Sequence, residues 1–332
     1  MAASFLALLA TTLVHVEVLT LLHPSAALVW QGGAPVELRA DGDQVVSGTA
    51  RAALLRCTPA RVELAALGRR DYAGSLSVTA RAGELRFVNE VPLEEYVAAV
   101  VGSELANAPP AAQAALAVVA RTYALHAGAG TLCDTTQCQL YLGAQAASKA
   151  ARAAARATRG EVLLGASGLA PVLHSADCGG RTALASDLWP RAGADDLEAS
   201  VPVADPVCAG SAWQTTLSPA DLRLLHPAEA PSLRVTETGP GGLARRVQLS
   251  GSPLTGEELS RRLSRLRKGL RPSARFTVRE LSAGAVLVRG TGHGHGVGLC
   301  QCGAALLATR GASWHQILAH YYPSLRVSRL PN

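Results

Sequence analysis

The stretch of residues 91–125 reads VPLEEYVAAVVGSELANAPPAAQAALAVVARTYAL, and the rest of the chain is interpreted from it. Proline is tolerated in the first turn of a helix, and carboxylates are stabilised at the positive end of the helix dipole. Pro92, Glu94 and Glu95 therefore predict the start of a helix. Residues 107–110, with two prolines, end it, because proline cannot continue a helical backbone.

One apolar face runs along this first helix and ends in a carboxylate. Its apolar residues recur with a period of 3.6 residues, at Leu93, Val97, Val100 and Val101. Continuing the count places Glu104 on the same face, one turn before the helix ends. Burial disfavours the charged form of a carboxyl group, and a proton donor at neutral pH must keep its proton. Glu104 is therefore a candidate catalytic acid, and the alternative is a structural carboxylate that reaches water at the helix end.

Composition narrows the function classes. The chain has 332 residues, of which 48% are hydrophobic and 17% charged, which is typical of a globular protein. The net charge is +6, but the arginines are scattered and only 4% of the residues are aromatic. Nucleic-acid binding requires clustered basic residues with stacking aromatics. We therefore expect no nucleic acid as a partner.

The first 27 residues resemble a secretory signal. Residues 2–22 are almost entirely apolar, interrupted by His15 and Glu17, and the small residues 25–27 follow. The positively charged start of a signal is missing, since no Lys or Arg precedes Arg39. We expect export. The alternatives are a membrane span, in which Glu17 would cost about 2.5–3.5 kcal/mol, and a buried N-terminal helix.

The cysteine spacing suits an exported protein. Cys133 and Cys138 are close in sequence, and Cys178 and Cys208 are thirty residues apart, so these two pairs are candidate disulfides. Cys300 and Cys302 are separated by one residue, which makes a bridge between them strained. The chain has seven cysteines, so at least one stays unpaired in a monomer.

The pattern of apolar residues predicts an α+β fold. Short alternating runs predict antiparallel strands in a β-rich N-terminal region, residues 28–90. The helix at residue 93 and a second helix over residues 110–126 follow. An Ala-rich helix is predicted over residues 144–159, and a mixed region of strands and helices completes the chain.

Two Gly-rich motifs hold the remaining polar residues of interest. In LHSADCGGRT, residues 173–182, hydroxyl groups lie beside glycines that allow close backbone approach. His174 is poorly placed to activate Ser175, because adjacent residues of a strand point to opposite faces. A Gly-rich turn is the alternative for this motif.

The second motif, GTGHGHGVGLCQCG over residues 290–303, contains no dinucleotide-binding pattern. His293 and His295 with Cys300 and Cys302 form a possible metal site. Disulfide or structural roles for the cysteines are favoured over metal binding.

Together these segments resemble the stage II sporulation protein D and amidase enhancer family (SpoIID/LytB) of bacterial cell-wall proteins. The matching segments are VNEVPLEEYVAAVVGSEL, AALAVVARTYAL, DTTQCQLYLG, LHSADCGGRT with DLW, and GHGVGLCQCGA with ILAHYYPSLRV. They follow the family's order between residues 88 and 327, so residues 91–327 are expected to form the catalytic region.

The resemblance implies a lytic transglycosylase that cuts peptide-stripped peptidoglycan glycan strands outside the cytoplasm. The essential acid of the family falls on Glu104, in agreement with the helical periodicity. The resemblance implies that Glu104 protonates the oxygen between N-acetylmuramic acid and N-acetylglucosamine. Glu104 then takes the proton of the 6-hydroxyl of the N-acetylmuramic acid, and a 1,6-anhydro ring closes. Sporulation itself does not follow from the family name.

The resemblance also implies a set of glycan-binding residues. These are Arg121, Ser175, Gly179, Gly180, Thr182, His295 and Gln301. Some family members hold zinc around the CDTTQC segment, but here Gln137 stands where a histidine is expected. Only Cys133 and Cys138 are obvious ligands, and no cofactor is expected.

Two other functions remain open from the sequence. Amidase-enhancer relatives stimulate a separate wall amidase, so this chain could bind the wall without cutting it. A hydrolase based on His174 and the Gly/His/Cys loop is the third hypothesis.

Overall fold

The computed structural model describes residues 12–189, 192–205, 208 and 211–330. The chain divides into two compact units, Met1–Val162 with Ser328–Asn332, and Leu163–Val327. Among the described residues ten strands precede the first helix, and helices and strands are mixed after it, which confirms the predicted α+β class.

The first unit contains eleven of the described strands. They are β1 (Leu13–Val18), β2 (Ala26–Gln31), β3 (Ala34–Asp41), β4 (Gln44–Ser47), β5 (Ala50–Ala52), β6 (Leu54–Cys57), β7 (Arg61–Leu64), β8 (Gly68–Asp71), β9 (Ser75–Arg81), β10 (Glu84–Pro92) and β11 (Thr131–Cys133).

These strands form two sheets. One has the order β11-β1-β10-β9-β6 and the other the order β5-β4-β3-β2-β7-β8. The alternation of buried and half-buried residues along β9 and β10 is the period-2 pattern of a strand with one face in the core. The predicted β-rich N-terminal region is confirmed.

Part of the apolar start of the chain, residues 13–18, forms the strand β1. A buried N-terminal helix is one of the alternatives that the sequence leaves open for this segment. Val14, Val16 and Val18 are buried, while His15 and Glu17 lie on the other face. β1 pairs with β10 on one side and β11 on the other. The helix alternative is wrong for these residues, because valines that alternate with polar residues suit a half-buried strand. Residues 1–11 of the signal-like segment lie outside the described residues.

Three helices pack with these strands in one core. They are α1 (Leu93–Glu104), α2 (Pro110–His126) and α3 (Lys149–Ala157). α3 is shorter than the predicted helix over residues 144–159, because Ser148 caps it by accepting a hydrogen bond from the Ala151 N–H. The unit boundary at Val162 also differs from the predicted boundary at residue 90, since α1 and α2 share their buried face with the sheets.

The remaining elements lie mostly in the second unit. The strands are β12 (Glu161–Gly165), β13 (Gly168–Leu169), β14 (His174–Ser175), β15 (Ala212–Leu217), β16 (Leu233–Gly239), β17 (Leu243–Leu249), β18 (Ser252–Thr255), β19 (Phe276–Glu280), β20 (Val286–Thr291), β21 (Leu299–Cys300) and β22 (Arg326–Arg329). The helices are α4 (Ala185–Leu188), α5 (Ala194–Glu198), α6 (Pro219–Leu225), α7 (Gly256–Leu266), α8 (Gln301–Thr309) and α9 (Trp314–Tyr321).

Two three-stranded sheets, β15-β20-β19 and β16-β17-β18, share one apolar core with α6 and α7. The short strands β14 and β21 pair in parallel beside them. Within the described ranges, no helix is long and apolar enough to cross a bilayer.

Candidate active site

Glu104 is the last residue of α1 and is half-buried. Its Oε1 accepts a hydrogen bond of 2.9 Å from the Leu140 backbone N–H. The turn after α1 is fixed from α2, where the Gln113 amide donates to the carbonyls of Leu105 and Ala106 at 3.0 Å each. The carboxylate is therefore held in a defined position, and it is more exposed than the helical period predicted.

The DTTQCQLYLG segment lies along the end of α1. The Leu142 N–H donates to Ser103 Oγ at 3.1 Å, one residue before Glu104. On the other face of the helix a close approach requires glycine, since a Cβ on Gly102 would lie 1.8 Å from the Ala146 carbonyl oxygen.

Sequence reasoning missed Tyr96 and Gln139. The Tyr96 hydroxyl donates to Gln139 Oε1 at 3.0 Å, and its ring stacks on Tyr141. Burial raises the pKa of Tyr96 well above its usual value, and the nearby Tyr123, Tyr141 and Glu104 act in the same direction. The sequence does indicate that Tyr96 lies on the same side of the helix as Glu104, because residues 96, 100 and 104 share one face of a helix. Gln139 is buried, and its Nε2 has no hydrogen-bond partner among the described residues.

The Cys133–Cys138 disulfide closes the loop that precedes this segment. The predicted pair is found, so these cysteines offer no thiolate to a metal and are not metal ligands. Asp134, inside the loop, accepts hydrogen bonds from the Leu19 N–H and the Thr20 hydroxyl at 2.6 Å each. The loop is therefore fastened to the end of β1.

Arg121, one of the predicted glycan ligands, lies inside the first unit. Its side chain is fully buried, and the guanidinium donates to both carboxylate oxygens of Glu94 at 2.7 and 2.8 Å. Its remaining donors reach the Thr158 hydroxyl and the backbone carbonyls of residues 117, 155 and 161. No N–H group of Arg121 is left for a ligand.

In the second unit the two Gly-rich motifs lie side by side. Ser175 pairs with Cys300 through the β14–β21 ladder, and Asp177 and His293 exchange backbone hydrogen bonds of 2.9 and 3.1 Å. Gly298 has a positive φ of 73°, and a Cβ there would lie 2.0 Å from the Leu173 carbonyl oxygen. Glycine is required for this contact.

The predicted glycines differ in their surroundings. Gly179 and Gly180 have φ values of 67° and 100°, and a Cβ on Gly179 would meet Thr291 at 2.9 Å. Gly294 and Gly296 also have positive φ, but a Cβ on either would make only ordinary contacts near 3.8 Å. Gly294 is exposed. The backbone around residue 294 is therefore one accessible part of this pair of motifs, and Ala176 is another.

Most of the predicted polar side chains in this unit are buried. Thr182 is 2% exposed, and its hydroxyl accepts from the Val203 N–H at 2.8 Å, so it fixes a loop. Ser175 is 4% exposed, and its Oγ has no hydrogen-bond partner among the described residues. No histidine therefore activates Ser175 in the described structure, which removes the support for a Ser/His nucleophile. Gln301 is buried as the first residue of α8.

His295 is half-buried and retains a surface position. Its Nδ1 accepts a hydrogen bond of 3.0 Å from the Val297 N–H, which assigns the proton of the neutral ring to Nε2. The ring lies 5.4 Å from the ring of Trp189, tilted by 54°. Trp189 of the DLW motif thus joins the Gly-rich loop, a contact that sequence reasoning did not find.

The second disulfide differs from the predicted one. Cys208 is bonded to Cys302, while Cys178 and Cys300 are buried free thiols. The predicted Cys178–Cys208 bridge is wrong, because the first turn of α8 places Cys302 against Cys208. Among the described residues, the groups able to hold a metal in this unit consist of cysteines and aspartates, and neither His293 nor His295 belongs to them.

Comparison with known proteins supports the resemblance for one part of the chain. Residues 81–164 match the family model described as stage II sporulation protein, SpoIID. The matched residues contain Glu104 and the whole of α1, α2 and α3. The motifs around Ser175 and His295 lie outside the matched residues.

Two relatives extend this finding. An uncharacterized protein of Brachyspira hyodysenteriae (strain ATCC 49526 / WA1) is 29% identical over 276 residues, which cover 76% of this chain and 71% of that protein. The stage II sporulation protein D of Bacillus amyloliquefaciens is 33% identical over 95 residues, covering 29% of this chain and 26% of that protein.

Proposed function

We propose that this protein is a lytic transglycosylase that cleaves peptide-stripped peptidoglycan glycan strands, with Glu104 as the catalytic residue. Its match to the SpoIID family model suggests a cell-wall-related role. The observation that carries the proposal is the position of Glu104 inside the matched residues. Its carboxylate is half exposed at the end of α1 and oriented by the Leu140 N–H at 2.9 Å.

The proposed chemistry requires one carboxyl group. Protonated Glu104 donates to the oxygen between N-acetylmuramic acid and N-acetylglucosamine as an oxocarbenium-like state develops at the muramic acid. The resulting carboxylate takes the proton of the 6-hydroxyl of the same sugar, and that oxygen closes a 1,6-anhydro ring. Hydrolases that use water generally need two carboxylates, whereas here a single group acts as acid and then as base.

Glycan binding in the second unit is proposed for the surface around His295. Of the polar side chains predicted there, only His295 is half exposed in the described structure, and Trp189 lies against it. Binding sites for organic ligands combine aromatic side chains with a few placed polar groups and accessible backbone. The exposed backbone at Gly294 meets the last requirement.

Export from the cytoplasm is part of the same proposal. Disulfide bonds persist in oxidising compartments and are rare in the cytosol. The Cys133–Cys138 and Cys208–Cys302 bonds therefore support a location in the cell envelope or outside the cell, where peptidoglycan is found.

The test is mass spectrometry of stem-peptide-free glycan strands after incubation with the full chain. We expect fragments with 1,6-anhydro-muramic ends from the wild type and a loss of about 10²–10⁴-fold in Glu104→Gln, since general acid–base catalysis contributes this much. Glu95→Gln is the matched control, because Glu95 lies in the same helix and pairs with Arg152 at the surface. It should cleave as the wild type does.

Cleavage by Glu104→Gln at the wild-type rate would refute the catalytic role. If neither protein cuts denuded strands or intact wall, the enzyme proposal fails. The remaining alternative is then a wall-binding modifier of a separate amidase, which is tested by adding this chain to that amidase and measuring peptide release.

A further inference from the structure

Two free thiols and a carboxylate converge inside the second unit. Cys178 follows β14, Asp205 lies in the loop before Cys208, and Cys300 ends β21. All three are buried, with 2%, 1% and 0% of their surfaces exposed. One ligand atom from each, two sulfurs and a carboxylate oxygen, lies within 4.8 Å of the others. We call this group the thiol–carboxylate cluster.

The hydrogen bonds around Cys300 suit a metal-bound thiolate. Its Sγ accepts from the Cys178 N–H at 3.3 Å and from the Gly303 N–H at 3.4 Å. Backbone N–H groups aimed at a sulfur stabilise its negative charge, as they do around metal-bound cysteines.

Asp205 is a buried carboxylate with neutral side-chain partners. Its Oδ2 accepts from the Tyr321 hydroxyl at 2.6 Å and from the Cys178 thiol at 3.4 Å. Buried carboxylates are normally paired with a cation or bound to a metal. The Cys178 proton thus lies between the Cys178 sulfur and the Asp205 oxygen. A cation bound by both atoms would take this position.

We propose that Cys178, Cys300 and Asp205 bind one zinc ion. Two thiolates on a tetrahedral zinc lie about 3.8 Å apart, because each Zn–S bond is about 2.3 Å long. The 4.8 Å limit on the cluster's ligand atoms requires only a small contraction to reach this geometry. A sulfur-rich site of this kind selects zinc over magnesium or calcium.

Binding leaves the Cys208–Cys302 disulfide intact. Zinc replaces the protons of the Cys178 and Cys300 thiols, so that two Zn–S bonds form and two protons are released to solvent. No oxidation or reduction takes place. Asp177, whose carboxylate lies within 4.8 Å of the Cys300 sulfur, is the nearest further oxygen donor. The ion would cross-link the loop after β14 to the start of α8, the two motifs that support His295.

The experiment uses the full-length protein without reductant. Zinc is titrated against a chromogenic chelator, and the metal content after desalting is measured by mass spectrometry. We expect one zinc per chain and a higher melting temperature with zinc than without. Cobalt added in place of zinc should give thiolate-to-metal charge-transfer absorption, a signature that no carboxylate site produces.

Three variants and one control assign the ligands. Cys178→Ser and Cys300→Ser should lose stoichiometric binding, and Asp205→Asn should weaken it by at least about 100-fold, because loss of an outer-shell partner alone costs about 10–100-fold. Cys57→Ala, which removes the buried free thiol of the first unit, should bind as the wild type does. Circular dichroism of each variant distinguishes lost binding from lost folding.

Two results would overturn the proposal. One is the absence of charge-transfer absorption in cobalt-treated wild type. The other is a Cys178–Cys300 disulfide found by peptide mapping of the non-reduced protein, because that bond would consume both sulfur ligands. Since no activity is measured, the outcome is independent of the transglycosylase proposal.

Discussion

Arg121 directs all of its N–H groups inward. The Glu94 carboxylate, the Thr158 hydroxyl and three backbone carbonyls surround it, and none of its side-chain surface is exposed. Removing one partner of a buried ion pair leaves the other charge uncompensated, which costs far more than the pair itself contributes. Arg121 therefore joins α1, α2 and α3 as a structural residue.

We predict that Arg121→Met lowers the free energy of unfolding by about 3–5 kcal/mol. The measurement is urea denaturation followed by circular dichroism. Arg152→Met is the matched control, since Arg152 pairs with Glu95 where both side chains are about a third exposed, and such surface pairs contribute about 1 kcal/mol or less. Equal effects in the two variants would contradict the structural role of Arg121.

Adding Glu94→Gln to Arg121→Met should restore part of the stability, because the double variant no longer leaves the half-buried Glu94 carboxylate unpaired. A double variant as unstable as the sum of the two single ones would instead show that the lost carbonyl contacts dominate.

The strand β1 is the element that most changes the interpretation of the sequence. It lies inside the five-stranded sheet between β10 and β11, so it belongs to the core of the first unit. The alternation of Val14, Val16 and Val18 with His15 and Glu17 predicts a strand, but the long apolar composition of residues 2–22 favoured a signal or a helix. For residues 13–18 the period-2 pattern, and not the apolar composition, predicts the observed structure.

We predict that Val16→Asp unfolds the first unit, whereas Leu13→Asp is tolerated. Val16 is fully buried, and Leu13 on the same strand is 51% exposed. A buried charge without a partner costs more than about 4 kcal/mol, while exposed substitutions usually change stability by less than about 0.5 kcal/mol. Thermal melting followed by circular dichroism measures both. A stable Val16→Asp protein would place β1 outside the core.

Other elements were predictable because their signals are local. The acidic first turn and apolar period of α1, the prolines before α2 and the alternation in β9 and β10 each depend on neighbouring residues. The cysteine pairing was not predictable, since Cys208 and Cys302 are 94 residues apart and Cys178 competes for the same position. The inward roles of Arg121 and Thr182 also depend on residues distant in sequence. A family motif identifies a recurrent residue without stating whether it faces a ligand or the core.

At the scale of the whole molecule, the two units share one property, the burial of their tyrosines. Tyr72, Tyr96, Tyr123 and Tyr141 lie in the first unit, and Tyr321 and Tyr322 lie in the second. Burial is the largest cause of a raised pKa in every one of them. Burial also raises the pKa of the Cys57 thiol to about 11. The folded protein therefore holds its phenols and this thiol in their neutral forms at alkaline pH.

The sign of the pH dependence follows from this. An unfolded tyrosine ionises near pH 10, whereas the folded one keeps its proton, so above this pH the unfolded state binds fewer protons than the folded state. The stability contributed by these groups is complete below about pH 9 and is lost as the pH rises through 10 and 11. We predict that the melting temperature falls steeply as the pH rises through about 10 and 11. Below about pH 9, tyrosine ionisation should not change the melting temperature.

The measurement is a spectrophotometric titration of tyrosinate beside far-ultraviolet circular dichroism. Tyrosinate should appear only when the circular dichroism signal is lost, whereas the protein in guanidinium chloride should titrate smoothly near pH 10. If the two units unfold separately, the tyrosinate signal should rise in two steps with amplitudes in the ratio 4:2, because four tyrosines lie in one unit and two in the other. Gradual ionisation near pH 10 with an unchanged dichroism spectrum would mean that the rings reach solvent without unfolding. The packing of Tyr72 and Tyr96 against Tyr141 would then not be a rigid arrangement that holds the Tyr96 hydroxyl against Gln139.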